Sequence, residues 1–96
     1  MEKIITFSQT YKFEGKEYSQ VDLSAIDELT AGQLCKCERQ FEQTGSISPI
    51  KELNLEYCLI VASSVSDLPI EFFKSLKGKD SNKVKQVVGS YFFQED

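Results

Sequence analysis

Apolar and polar positions alternate along residues 4–23 with the two-residue period of a half-buried β-strand. The apolar positions that share one parity are Ile5, Phe7, Tyr11 and Phe13. Glu14-Gly15 separates two such runs and suits a two-residue turn, because glycine tolerates the positive φ that these turns need. The pattern therefore predicts a β-hairpin over 4–23.

The turn sets a register for this hairpin. The cross-strand pairs that it predicts are Tyr11 with Tyr18 and Lys12 with Glu17. In the same register, Val21 and Leu23 fall on the opposite face from Tyr18. Either a β-bulge shifts the pairing, or helices cover part of both faces, and the pattern alone leaves both alternatives open.

Helical spacing replaces the alternation in the middle of the chain. Thr30 begins a T-x-x-Q capping box, which predicts a helix over about 30–44 that ends at Gly45. A second helix is predicted over about 53–66, with Asn54 as its N-cap. This second helix is apolar nearly all round, so we expect it at the centre of the fold.

Two more helices complete the predicted order. Pro69 favours the start of a helix over about 69–77, and Asp80 is the expected N-cap of a last helix over about 80–93. The inward stripe of the last helix is Val84, Val87, Val88, Tyr91 and Phe92. The predicted fold class is α+β, an N-terminal β-hairpin followed by a bundle of about four α-helices, in a single domain over residues 1–96.

The charge of the chain is unevenly distributed, with a net value of −4. Residues 1–73 carry 12 acidic and 6 basic groups, whereas residues 74–85 carry five lysines against Asp80 alone. This lysine run is either a solvated helix face or a docking patch for an acidic partner. The chain has no broad basic face, so we expect no nucleic-acid partner.

Side chains that carry catalysis are sparse. The chain contains no histidine, the commonest general base and metal ligand, and no glycine-rich phosphate loop. Cys35 and Cys37 would point about 200° apart on a helix, and only Cys58 remains as a further thiol ligand. We therefore expect free thiols in a reducing cytoplasm, no metal, no cofactor and no enzymatic activity. No apolar run approaches 18 residues and no signal peptide is recognisable, so we expect no membrane association.

Consecutive aromatic residues indicate a binding surface instead. Phe72-Phe73 and Tyr91-Phe92-Phe93 diverge by about 100° per residue on a helix, so one helix face can hardly bury all of them. Either each group straddles the edge of the core, or Phe93 and one of Phe72 or Phe73 lie in an exposed patch that a partner covers.

Four stretches, taken in order, resemble the small tail assembly chaperones of contractile-tailed phages and prophages. They are "YKFEGKEYSQVDL", "LTAGQLCKCERQF", "YCLIVASSVSDLPIEFF" and "KDSNKVKQVVGSYF", and the resemblance spans about residues 4–93. It implies a non-enzymatic protein of the bacterial cytoplasm that is absent from the mature virion. Such proteins bind the long, aggregation-prone tape measure protein during tail morphogenesis, help to recruit tail tube subunits, and often self-associate as homo-oligomers.

A chaperone for such a client needs an apolar patch that stays soluble when it is unoccupied. We hypothesise that this partner surface contains Phe72, Tyr91 and Phe93 and is rimmed by Lys74, Lys77 and Lys85. The alternative is a small regulatory adaptor or antitoxin-like protein that binds one folded partner through the same aromatic patch. That protein would have no long client and would not self-assemble.

Overall fold

The computed structural model describes residues 3–45 and 47–93 of the chain. Its elements, in order, are β1 (Ile4–Phe13), β2 (Lys16–Asp22), a first 3-10 helix (Ser24–Glu28), α1 (Ala31–Gln43), a second 3-10 helix (Lys51–Leu53), α2 (Leu55–Ser66), α3 (Ile70–Lys74) and α4 (Gly78–Phe92). The two strands form one antiparallel sheet. The predicted α+β class, a hairpin followed by four helices, is confirmed.

A large bulge in β1 resolves the question that the hairpin pattern left open. Thr6 pairs with Gln20, whereas Tyr11 pairs with Tyr18 as predicted, so residues 7–10 of β1 lie opposite Ser19 alone. The shift brings the buried side chains of both strands onto one face. These buried side chains are Ile5, Phe7, Tyr11 and Val21. The bulge is therefore what lets a hairpin with two conflicting parities cover a single core.

Local sequence signals predict the turn and the N-cap residues of two helices correctly. Glu14 and Gly15 both have positive φ, 51° and 79°, which is the conformation of a type I′ hairpin turn. The capping box at Thr30 is present, with its side chain accepting from the backbone N–H of Gln33. Asn54 caps α2 by accepting from the backbone N–H of Tyr57 at 3.2 Å.

Helix α2 lies at the centre of the fold, as its apolar pattern predicts. Its residues from Tyr57 to Ala62 are all buried. It packs against α1, α3, α4 and both 3-10 helices. Phe41 of α1 meets Tyr57 edge-on, with 5.7 Å between ring centroids. The core therefore forms around the buried middle of α2.

The predicted start of α4 is wrong. The helix begins at Gly78, Lys77 is its N-cap residue without a side-chain cap, and Asp80 lies within the first turn. Asp80 does not cap the helix because its carboxylate is turned toward the hairpin, where it accepts hydrogen bonds from β1. Helix α3 begins one residue after Pro69 and ends at Lys74, so it is shorter than the predicted 69–77.

The Asp80 carboxylate joins the bulge of β1 to the start of α4. Ser8 donates its backbone N–H and its hydroxyl to Asp80 at 2.9 and 2.8 Å, and the Tyr11 hydroxyl donates at 2.5 Å. The Tyr11 oxygen in turn accepts from the backbone N–H of Lys77 at 3.0 Å. Asp80 is fully buried, and the Lys83 ammonium lies 3.6 Å from it. Every oxygen of this buried charge is therefore hydrogen-bonded, which fixes the hairpin against α4.

Burial alone would raise the pKa of Asp80. The hydrogen bonds from Tyr11 and Ser8, together with the charge of Lys83, outweigh that effect and lower the pKa to about 2. Burial raises the pKa of Tyr11, and its hydrogen bond to Asp80 raises it further. Both shifts favour one arrangement, in which an ionised carboxylate accepts from a protonated phenol.

Candidate protein-binding surface

A groove lies between the outward face of α4 and the second 3-10 helix. On α4 its lining residues recur at i, i+3, i+4, i+7, i+8 and i+11, namely Asn82, Lys85, Gln86, Gly89, Ser90 and Phe93. Glu52 and Leu53 form the other wall. The groove has a volume of about 500 Å³. This stripe faces away from the inward positions Val84 and Val88, which are fully buried.

A large apolar side chain is exposed on each wall of this groove. Phe93 is 57% exposed and Leu53 is 54% exposed, one on each wall. Within the described residues, five of the six exposed large apolar side chains belong to the segment 47–55 or are Phe93. The segment contributes Ile47, Ile50, Leu53 and Leu55. Single exposed apolar residues are ordinary, but two of these side chains, Leu53 and Phe93, line the same groove, which is typical of a protein interaction site.

The floor of the groove is widened by Gly89. A Cβ atom placed on Gly89 would meet nothing within 4 Å, so the packing of this chain does not require a glycine there. Glycine in a helix interior costs about 1 kcal/mol relative to alanine. Its presence instead leaves the backbone of α4 open to close approach from outside.

The two walls of the groove carry opposite charges. Lys85 lies on α4 and Glu52 on the second 3-10 helix. Neither side chain takes part in any of the ion pairs found among residues 3–45 and 47–93. Both act on the thiol of Cys58, whose pKa burial raises to about 11, with Lys85 lowering it and Glu52 raising it. An apolar groove with one acidic and one basic edge suits a partner surface that is itself of mixed charge.

Phe72 is not part of this surface, and its predicted exposure is wrong. The side chain is fully buried under the hairpin. Its ring centroid lies 4.9 Å from that of Tyr18, 5.6 Å from that of Phe13 and 6.1 Å from that of Phe7. The aromatic side chains of the hairpin therefore cover Phe72, and Phe73, whose ring centroid lies 5.3 Å from that of Phe72, is fully buried as well. Both members of the first aromatic pair therefore lie within the core, so this pair neither straddles the core edge nor contributes to an exposed patch.

At the end of α4, Phe92 faces the core and Phe93 faces outward, as the helical spacing predicts. Phe92 is half-buried, with its ring centroid 5.9 Å from that of Tyr57, and Tyr91 is half-buried against Phe92 at 5.2 Å. Phe93 projects away from the core. Tyr91 does not line the groove, so only Phe93 of the predicted aromatic set does.

The three lysines of the predicted partner surface also lie in different places. Lys85 lines the groove with Phe93. Lys74 is exposed but pairs with Glu56 of α2 at 3.0 Å, and the backbone of Lys77 is bound to Tyr11. Neither Lys74 nor Lys77 is among the groove residues. The surface therefore unites two of the six predicted residues and leaves the other four elsewhere.

Sequence reasoning missed Leu53, Glu52 and Gly89. Position 53 was predicted as the start of the central helix, but Leu53 ends a separate 3-10 helix and turns outward. The available signal was Asn54, since an N-cap at that position leaves residue 53 outside the helix. The signal for Gly89 was a glycine in the interior of an otherwise regular helical pattern.

The three cysteines do not lie together on one surface. Cys35 is exposed, whereas Cys37 and Cys58 are buried, as expected for residues that point to different sides of α1 and α2. Burial raises the pKa of both buried thiols. The described residues contain no group of three or more cysteine, aspartate or glutamate side chains arranged to hold a metal ion.

Comparisons with protein-family models, curated proteins and solved structures give no match to this chain. Within residues 3–45 and 47–93, no helix combines the length and the hydropathy needed to cross a lipid bilayer.

Proposed function

We propose that this protein is a phage tail assembly chaperone, a non-enzymatic cytoplasmic protein that binds the tape measure protein during tail morphogenesis. The observation that carries the proposal is the exposed apolar groove between α4 and the second 3-10 helix. Such a surface suits a partner that presents apolar side chains, and a long helical client does so repeatedly along its length. The resemblance over residues 4–93 supplies the identity of the client.

The way in which α4 is held by the rest of the molecule supports a binding role. The hairpin is fixed to α4 through the Asp80 hydrogen bonds, and α4 is packed on α2 through Val84 and Val88. The groove therefore lies on a helix whose other face is held rigidly, which reduces the entropy lost when a partner binds. The net charge of −4 keeps free copies dispersed in spite of the exposed apolar side chains.

Tail tube subunits are the second partner in this proposal. The chaperone would hold the tape measure protein soluble in the host cytoplasm, deliver it to tube assembly, and be absent from the mature virion. Its groove then needs only moderate affinity, because the client must be released as the tube subunits polymerise around it.

Coexpression with the tape measure protein of the phage or prophage that encodes this chain tests the proposal. The wild-type chain should move that protein from the insoluble to the soluble fraction and copurify with it. Phe93→Ser should reduce the soluble yield severalfold, because Phe93 supplies the largest exposed apolar surface of the groove. Gln20→Ser, on the exposed polar face of the hairpin, is the matched control and should behave as wild type.

A tape measure protein that stays insoluble with the wild-type chain would contradict the chaperone function. If it becomes soluble to the same extent with Phe93→Ser, the function would stand but the groove would be the wrong surface. A folded regulatory partner that binds in the absence of any effect on the tape measure protein would favour the adaptor alternative.

A further inference from the structure

The backbone of the groove walls is largely hydrogen-bonded within the chain. The backbone N–H groups of Leu53 and Phe93 donate to the carbonyls of Ile50 and Gly89, each at 3.1 Å. The other groove residues of α4 lie inside the helix, where each backbone N–H donates to a carbonyl one turn earlier. A partner segment bound in extended form would therefore lose backbone hydrogen bonds to water without replacing them. A helical segment satisfies its own backbone, so the groove suits an α-helix.

The groove carries one positive and one negative charge on opposite walls. Lys85 and Glu52 are half-buried, and neither takes part in an ion pair found within residues 3–45 and 47–93. The backbone carbonyl of Glu52 accepts from the Cys58 thiol at 3.5 Å. Burial raises the pKa of that thiol to about 11, and the charges of Lys85 and Glu52 also act on it, so both lie near Cys58. Partly desolvated charges without a partner favour a ligand that brings the opposite charge to each.

The apolar part of the outward stripe lies further along α4. Phe93 follows Lys85 by eight residues, so it lies on the same face and about 12 Å away along the helix axis. Gly89 lies midway between them, and a Cβ atom placed there would meet nothing within 4 Å. The absent side chain lets the backbone of a partner helix approach α4 closely. Along α4 the stripe is therefore charged at Lys85, open at Gly89 and apolar at Phe93.

We propose that the groove selects helical segments of a partner by the charges that flank their apolar stripe. The segment that fits places an apolar side chain against Phe93. About two turns away it presents an acidic residue to Lys85 and a basic residue to Glu52. The two flanks of one apolar stripe face opposite walls of the groove, so a segment with two acidic or two basic flanks meets one like charge. Lys85 and Glu52 are therefore specificity-determining residues.

This selectivity deepens the proposed function and rests on it for the identity of the partner. A chaperone that covered any apolar surface would bind a long client at every exposed apolar stretch. A groove that reads charge binds the client only at segments with mixed flanks. The preference itself is a property of the groove, so it is tested with synthetic peptides and the purified chain.

Three peptides of about 18 residues, long enough to form a helix and sharing one apolar stripe, test the charge preference. Their flanks carry glutamate on one side and lysine on the other, glutamate on both sides, or lysine on both sides. Titration calorimetry should show that the mixed peptide binds about fivefold more tightly than either single-sign peptide. The helical content of the mixed peptide should rise on binding, and a proline at its centre should abolish binding.

Charge reversal on the protein provides the control. In Lys85→Glu both walls are acidic, so the all-lysine peptide should bind most tightly, and in Glu52→Lys the all-glutamate peptide should do so. Lys79→Glu, exposed on the same helix but outside the groove, is the matched control and should keep the preference for the mixed peptide. Circular dichroism checks that each variant is folded.

Four results would overturn the proposal. They are no binding of any peptide, equal affinities for the wild type, a preference that Lys85→Glu leaves unchanged, and equal binding of the proline peptide, which would indicate an extended occupant. If the tape measure protein is nevertheless kept soluble, the proposed function stands without charge selection. If the peptides behave as expected while the tape measure protein stays insoluble, the charge selection stands and the proposed function fails.

Discussion

The two faces of α4 differ in how fully their side chains are buried and paired. The inward face is closed: Val84 and Val88 are fully buried, and the carboxylate of Asp80 is matched by donors from β1. The outward face is open: Phe93 is more than half exposed, Gly89 faces empty space, and Lys85 is in no ion pair found among the described residues. The contrast indicates that one face of the helix stabilises the fold, whereas the other contributes little to it and is accessible. Changes on the two faces should therefore have effects of different size and sign.

The largest effect on stability is expected from Asp80→Asn. The amide has the same shape as the carboxylate but is uncharged, and it cannot accept from Ser8 and Tyr11 as the carboxylate does. Hydrogen bonds to a charged group contribute more than neutral ones, so the free energy of unfolding at pH 7 should fall by about 2 kcal/mol. Urea denaturation of the wild type and the variant measures the difference.

The same pair of proteins gives a test by pH. The pKa of Asp80 is lowered from 3.8 to about 2 in the folded chain, so the ionised carboxylate stabilises the fold above about pH 4. That contribution is lost as the pH falls through the folded pKa. The gap between wild type and Asp80→Asn should be constant from pH 5 to pH 8 and should narrow between about pH 4 and pH 2. A gap that persists unchanged at pH 2 would mean that Asp80 does not act through its charge.

Sequence reasoning succeeds on this molecule where neighbours along the chain decide the outcome. The turn at Glu14-Gly15 set the register of Tyr11 with Tyr18, the capping box at Thr30 placed the start of α1, and Asn54 was correctly identified as the N-cap of α2. The spacing of α4 also separated Phe92 from Phe93 correctly. Each of these outcomes depends on interactions within a few residues, which the local pattern contains.

Sequence reasoning fails where a residue's hydrogen-bonding or packing partners are distant in the sequence and compete with the role that its near neighbours suggest. Asp80 is a good helix cap by residue type, but Ser8 and Tyr11, 72 and 69 residues away, offer its carboxylate three donors. Phe72 looked available to a partner because nothing local covers it, yet the hairpin does. For the same reason, only two of the eight groove residues, Lys85 and Phe93, were predicted, since Leu53 and Gly89 line the groove from two different elements.

Gly89→Ala should produce a smaller effect, and of the opposite sign. The new Cβ meets nothing within 4 Å, so the variant gains the higher helix propensity of alanine without a clash within the chain. The free energy of unfolding should rise by about 0.5–1 kcal/mol, measured at a protein concentration low enough to avoid association. Gly45→Ala is the contrasting control, because its φ of 80° is one that alanine adopts only with strain. That variant should be destabilised, and a loss of stability in both would mean that Gly89 is needed by the fold.

The smallest effect on stability is expected from Phe93→Ser, at the exposed end of the outward stripe. Because more than half of the Phe93 side chain is already in solvent, its loss should change the free energy of unfolding by less than about 0.5 kcal/mol. Phe92→Ser is the matched control on the neighbouring residue. It removes a ring that packs against Tyr57, so it should lower the melting temperature clearly. Partner binding should respond in the reverse order. Phe93→Ser should weaken binding more than Phe92→Ser does, relative to the stability that each variant loses. If Phe93→Ser melts as early as Phe92→Ser, both rings belong to the core and the outward face of α4 is not a surface kept for a partner.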